Sequence, residues 1–382
     1  MRRKIAWPGL CFLAILFLVS CQAKGRQGKE EARKISPELT YTHSMDLAYA
    51  KQFSVDYYEG GYALLTIEED EDRFLIIPEG APVPGGLKPD IVSLRQPVEN
   101  IYLVASAVMD MFVAMDSLAS IRFSGTKPDG WYIEEARRAM DEGEILYAGN
   151  YSAPDYERIL AEHCGLAVEN TMIYHSPEVK EQLERFEIPV LVDHSSYEEE
   201  PLGRTEWVKC YGLLTGNEEK AMEAFRVQEE AFQTVEATGT KSGKSVAFFY
   251  VTGGGAVNVR KPSDYLAKMI RLAGGTYLAP GGSGKESGGS SMTVQMEEFY
   301  QTAKEADYLI YNSAVDSELG SLEELLEKNR LLGNFRAVQE GNVYCTAKNL
   351  YQSSMELGVI ISDLHKILTQ KGEELVYFYP LT

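Results

Sequence analysis

Residues 217–237 read NEEKAMEAFRVQEEAFQTVEA, and the organisation of the chain turns on them. Ala221, Phe225, Phe232 and Val235 recur at helical spacing, and no glycine or proline interrupts them. The remaining positions are mostly charged, and no strand-like run accompanies the segment. A long, polar helix of this kind reads as a connection between two bodies. On both sides of it the chain alternates between short apolar runs and amphipathic stretches. Upstream the runs are EILYAG (144–149), GLAVEN (165–170) and IPVLVD (188–193), separated by APDYERILAEH and SPEVKEQLERF. Downstream they are SVAFFYV (245–251), TYLAP (276–280), DYLIYN (307–312) and NVYCTA (342–347), with helical patterns such as SDYLAKMIRLAG, MEEFYQTAKEA, SLEELLEKN and SSMELGVIISDLHKIL among them. Bounded apolar runs alternating with helices predict βαβ units, because parallel strands are covered on both faces.

The predicted fold class is therefore α/β: two lobes, each a mostly parallel sheet flanked by helices, joined by one long helix. A β-hairpin is added at the N-terminal side. Residues 53–67 alternate in polarity, and RFLIIPEG (73–80) follows across the acidic turn EEDED. DIVSLRQPVENIYLVAS (90–106) continues extended, and AVMDMFVAMDSL (107–118) has helical spacing. A chain of 382 residues exceeds the size at which a single core keeps growing, which agrees with two lobes.

The N-terminal end has a different character. Arg2, Arg3 and Lys4 precede an apolar run from Leu10 to Val19 that is too short to span a bilayer. That pattern describes a secretory signal over residues 1–20. Polar residues 21–38 make a flexible tether, residues 39–216 the N-terminal lobe, residues 217–238 the linking helix and residues 239–382 the C-terminal lobe. The chain carries 37 Lys and Arg against 57 Asp and Glu, a net charge of −20. Basic residues are concentrated before residue 39, so the folded part is more acidic still. Such a body is a poor partner for nucleic acid and for anionic lipid surfaces. Of five cysteines, Cys11 falls in the signal and Cys21 at its end. Cys164, Cys210 and Cys345 are widely spaced, with neither disulfide nor zinc spacing, and each reads as a small buried apolar residue.

Leu18-Val19-Ser20-Cys21 resembles the lipobox of bacterial lipoproteins, in which cleavage leaves the cysteine to carry lipid. Two α/β lobes joined by one helix behind such a box resemble the substrate-binding proteins of ABC importers for ferric siderophores, haem and vitamin B12. The resemblance runs from about Tyr49 to Leu368. Its most specific stretch is IPVLVDHSSYEEEPLGRTEWVKCYGLLTGNEEKA (188–221), where PLGR-x-EW-x-K precedes the linking helix. DYERILAEHCGLAVEN (155–170) occupies a second family motif, with Cys164-Gly165 where the family usually has Pro-Asp. The resemblance implies a lipid-anchored, extracytoplasmic monomer that catches a metal chelate, haem or corrinoid and docks on a permease dimer. It implies no catalysis and no cofactor. It also implies that Glu157, and Glu298 or its neighbour Glu297, meet basic residues of the permease.

In open α/β sheets ligands bind beyond the carboxyl ends of the strands. The loops there nominate Arg95, Ser124, Trp131, Tyr151, Tyr174, His175, Tyr197 and Arg204 in the first half. His194 stands beside Tyr197 there; in the second half they nominate Gly254, Asn258, Met292 and Tyr351, with Arg260 and Asn312 nearby. Rings to stack on and a few donors suit a flat, partly apolar ligand, with Trp131 as the stacking residue. Arg95, Arg204 and Arg260 suit its anionic groups. Only five histidines exist, and only His175 and His194 could converge, so no metal site of the protein's own is expected.

Two further motifs carry nothing. GTKSGKS (239–245) is one residue short of a phosphate loop and precedes a strand, and TGGGAVN (252–258) lacks dinucleotide spacing. The competing reading is a membrane-anchored hydrolase with carboxylate catalysis. Most acids, however, fall on helical faces or in turns such as EEDED, where solvated charge is the ordinary outcome. A purely structural or adhesive surface domain would not need two similar lobes.

Overall fold

The predicted hairpin is the middle of a larger sheet. In a computed structural model that describes residues 33–237, 241–281, 290–369 and 374–382, five strands lie side by side in chain order. They are β1 (Tyr41–Ser44), β2 (Phe53–Tyr58), β3 (Ala63–Ile67), β4 (Asp72–Ile77) and β5 (Ile91–Arg95). β1 runs antiparallel to β2, and β5 is parallel to β4. One face buries Ile35, Tyr58, Tyr62, Leu64, Leu75 and Ile77. With its surrounding segments this sheet is a compact unit of its own, made of the described residues through Met45, Ser54–Thr66 and Asp72–Arg95.

The second unit takes Asp46–Phe53, Ile67–Glu71 and everything from Gln96 onward. Its first sheet contains β6 (Ile101–Leu103), β7 (Ile121–Ser124), β8 (Leu146–Tyr147), β11 (Leu166–Asn170) and β12 (Val190–Asp193). A two-stranded ribbon, β9 (Gly149–Asn150) with β10 (Ala153–Pro154), lies apart from it. The sheet order is β12-β11-β6-β7-β8, and every pairing is parallel. Later strands are thus added to one side of β6 and then to the other, which places a topological switch point between β6 and β11. Four of the five β11 residues are buried, as the continuous run LAVEN requires of a strand covered on both faces.

The second sheet contains β13 (Ser245–Val251), β14 (Val257–Arg260), β15 (Thr276–Tyr277), β16 (Ser291–Val294), β17 (Tyr308–Tyr311), β18 (Val343–Thr346) and β19 (Phe378–Pro380). It is mixed: β15, β17 and β18 are parallel, whereas β14, β16 and β19 pair antiparallel. Separate apolar clusters cover its two faces.

Between β12 and β13 the chain runs through helices Pro201–Glu206, Val208–Thr215 and Glu218–Ala237. Glu218 and Glu219 lie in the first turn of the long helix, where its dipole favours acids. Two glycines let it approach its neighbours closely. A Cβ on Gly212 would stand 2.4 Å from the Cβ of Ala221, and one on Gly358 would stand 2.8 Å from that of Ala231. The helix is therefore gripped at one point by the first half of the unit and at another by the second. Among the described residues no helix is long and apolar enough to cross a membrane. The signal segment, Cys21 and most of the tether lie outside the described residues.

Candidate functional site

A cavity of about 290 Å³ opens at the switch point of the first sheet. Ala105, Ser106 and Ala107 follow β6, Asn170 ends β11, and Asp193 with Ser196 follow at β12. Arg204 comes from the Pro201–Glu206 helix. The second half contributes Arg260 at the end of β14, Ser290, Val315 after β17, and Tyr351. Both halves of the unit therefore line one cavity, as the loop argument requires.

The two arginines differ in their commitments. Arg260 Nε and Nη2 donate to the Asp264 carboxylate at 3.0 and 2.7 Å. Its guanidinium lies 5.7 Å from the Tyr351 ring centroid. Burial alone would lower its pKa, but Tyr351 and Asp264 outweigh that and hold it raised. Arg204 is 5% exposed and lies 4.7 Å over the Tyr265 ring, yet its guanidinium makes no hydrogen bond among the described residues. Its positive charge acts on Asp193, which is held between Ser195 and Tyr211 by bonds of 2.6 Å each. Burial pushes the Asp193 pKa up, against the lowering by its bonds from Ser195 and Tyr211 and by the Arg204 charge. Tyr351 has its hydroxyl on Asn312 Nδ2 at 2.9 Å, and burial raises its pKa. Asn312 Oδ1 is buried with no partner among the described residues. The lining offers a hydrogen-bond-free guanidinium and polar atoms beside aromatic rings, which suits an anionic ligand.

A second group forms beside it. Tyr174 Oη lies 2.6 Å from both oxygens of Asp70 and 2.9 Å from His194 Nε2, and His194 Nε2 is 3.1 Å from Asp70 Oδ2. Tyr197 sets its ring 5.7 Å from that of His194. Burial would raise the Asp70 pKa, but the bonds from His194 and Tyr174 outweigh it and hold it below the ordinary carboxylate range.

Of the residues nominated from sequence, Arg204, Arg260 and Tyr351 line the cavity, and Tyr174 and Tyr197 gather around His194. The others lie elsewhere. Arg95 ends β5 in the first unit, where its guanidinium is spent on the Ala81 carbonyl at 2.8 Å. Trp131 is 1% exposed, so neither ring face is open for stacking, and its Nε1 donates to the buried Ser124 Oγ at 3.0 Å. Tyr151 packs partly buried against the first-sheet core. His175 is exposed at the end of a short 3-10 turn. Gly254 is exposed in the β13–β14 turn. Asn258 donates across the strands to Thr293 at 3.2 Å, and Met292 packs on the second-sheet core. Among the described residues no three His, Cys, Asp or Glu side chains converge as metal ligands. Glu157 and Glu298 are both exposed in the first turns of helices that lead into β11 and β17.

The stretch SSYEEEPLGRTEW has a structural use that its sequence conceals. Glu206 accepts the backbone N–H groups of Ala48, Tyr49 and Ala50 at 2.8–3.0 Å and the Lys209 ammonium at 2.7 Å. Glu198 accepts those of Lys51 and Gln52 at 2.9 Å and the Trp207 Nε1 at 3.0 Å. Two buried carboxylates thus strap down five consecutive amides.

A larger groove of about 610 Å³ runs beside the long helix, lined by Asp110, Asp116, Glu219, Glu223 and Glu356 over Val113, Val227 and Met355. It is remote from the strand ends and carries only Lys220 as a cation, which pairs with Asp116. The switch-point cavity is the better candidate on chemical grounds.

A family model described as periplasmic binding protein matches residues 116–350. An uncharacterized lipoprotein of Methanocaldococcus jannaschii is 22% identical, over 99% of this chain and 96% of its own length. The periplasmic heme binding protein HutB of Vibrio cholerae superposes with a TM-score of 0.56 at 17% identity, covering 70% of this chain and 98% of its own. An ABC-type Fe3+-hydroxamate transport system from Saccharomonospora viridis gives 0.55 at 18% identity, covering 72% and 94%.

Proposed function

Because this chain belongs to the periplasmic binding protein family, we propose that it is the extracytoplasmic substrate-binding component of an ABC importer, held to the membrane by lipid on Cys21. It captures an iron chelate, haem or a corrinoid in the switch-point cavity and hands it to the permease without chemical change. The observation that carries this reading is Arg204, a buried guanidinium without a hydrogen bond that borders a cavity formed by both halves of one unit. Burying an uncommitted charge is costly unless something completes it, and a ligand anion does so in two-pronged geometry. A volume of about 290 Å³ stands at the small end of ligand sites, which favours a compact anionic iron chelate among the three classes. Glu157 and Glu298 are the docking contacts, one from each half; well-separated ion pairs orient partners and speed encounter. The residues 39–216 and 239–382 act as the two lobes, with 217–238 as the link.

Calorimetric titration against ferric siderophores, haem and cobalamin, paired with uptake in cells, tests the reading. One ligand class should saturate. Arg204→Ala should lose at least about tenfold in affinity, and uptake with it. Glu157→Arg with Glu298→Arg should keep binding and lose uptake. No saturable ligand in the panel, or Arg204→Ala binding like the wild type, overturns the assignment.

A further inference from the structure

Asp70, Tyr174 and His194 bring four close polar contacts together with too few protons to serve them. The phenol has one proton and the ring nitrogen at most one, yet the Oη–Oδ1, Oη–Oδ2, Oη–Nε2 and Nε2–Oδ2 separations are 2.6, 2.6, 2.9 and 3.1 Å. Those separations have a second meaning. With metal–ligand bonds of about 2.0–2.1 Å, neighbouring donors of an octahedron stand about 2.9 Å apart, and those of a tetrahedron about 3.4 Å apart. Oη, Nε2 and Oδ2 thus already mark out one triangular face of an octahedron.

We propose that Asp70, Tyr174 and His194 form a three-donor face for a hard octahedral cation, ferric iron foremost. Phenolate, carboxylate and imidazole supply two anions and one neutral nitrogen, a set that favours a small, highly charged ion over soft metals. Metal entry displaces the phenolic proton to solvent and moves the imidazole proton from Nε2, where it faces Asp70, to Nδ1, so that Nε2 presents its lone pair. His194 Nδ1 is buried and has no partner among the described residues, so no donor reserves it as an acceptor. Tyr174 is 45% exposed, which gives the ion a way in, while His194 is 2% exposed and holds its ring fixed. Lys180 adds a positive charge within electrostatic reach of Asp70 and sets a limit on affinity for lower-charged ions. Three positions of the octahedron stay open to water or to a chelator. Asp193 and Ser196, which line the cavity, bracket His194 in sequence. The metal face nevertheless stands on its own three residues and does not depend on capture of a chelate by Arg204.

The probe is Fe(III) supplied as its nitrilotriacetate complex to the purified protein, with Mn(II) and Zn(II) in parallel. We expect one equivalent of iron and a visible phenolate-to-iron charge-transfer band. Tyr174→Phe should abolish the band, and Asp70→Asn and His194→Gln should each weaken iron at least tenfold. Tyr197→Phe should leave the band unchanged, with melting curves confirming that every variant is folded. A band that survives Tyr174→Phe, an iron-free wild type, or iron lost on Arg204→Ala and kept on Tyr174→Phe would each overturn the proposal. The last result would place the iron in the cavity with its chelator.

Discussion

Glu206 and Glu169 are both fully buried acids in the first half of the second unit, and their surroundings are opposite. Glu206 receives three backbone N–H groups and the Lys209 ammonium. Glu169, on β11, receives nothing: neither oxygen has a partner among the described residues. Burial alone pushes its pKa up to about 8. Tyr102, Tyr147, Tyr156 and Cys164 surround that part of the core, and Tyr102 and Tyr156 feel the Glu169 charge directly. The contrast teaches that donors, rather than depth, decide what a buried carboxyl does. One holds a strap in place, and the other is carried as a neutral acid at neutral pH. Asp110 stands between them: it accepts one backbone bond, from Met355 at 2.7 Å, and burial raises its pKa to about 6.

Removing the saturated acid should produce the largest effect. Glu206→Ala strands Lys209 and three amides, which predicts a loss of about 4 kcal/mol in urea unfolding. A loss under about 1 kcal/mol would mean that water replaces the carboxylate and that the strap is incidental.

Glu169→Gln sharpens the other side of the contrast. A carboxyl whose folded pKa lies above its unfolded value binds a proton that the unfolded chain has released. Stability should therefore fall as pH rises from 4.5 to about 8, by about 1.4 kcal/mol per unit, and stay level above. The wild type should lose about 3 kcal/mol relative to the Gln variant between pH 4.5 and 7. Parallel pH profiles for the two proteins would show that Glu169 finds donors in solution.

The smallest effect belongs to Asp110→Asn. Its window runs from pH 3.8 to about 6, roughly two units against about three and a half for Glu169, so the difference should reach about 3 kcal/mol and level off just above pH 6. A drift that continues to pH 8 would assign the slope to another group.

The same contrast explains what could be read from the residues in advance. SVAFFYV is β13 to the residue, and GLAVEN, IPVLVD and NVYCTA each contain a strand, because a parallel strand writes its two-sided burial into its own composition. The neighbours of the N-terminal hairpin were harder to see. β1 is a mostly exposed edge of four residues, YTHS, with no apolar signal. The acids were the least legible. EEDED and SSYEEEPLGRTEW look like solvated runs, yet Asp70 finds the Tyr174 phenol, and Glu198 and Glu206 find their backbone donors, 104–158 residues away in the chain. Local periodicity carries no trace of a donor so distant. Trp131 shows the converse: a ring beside a strand end looks available until the fold closes over it.

The strap also fixes an order of events. Residues 48–52 emerge about 150 residues before Glu198 and Glu206 exist to receive them. At synthesis rates of about 5–20 residues per second, that is a wait of roughly 7–30 s. Throughout it, five adjacent amides must be served by water or by chaperones, and closing so long a loop comes late in folding. An early segment of the second unit is thus among the last to be fastened.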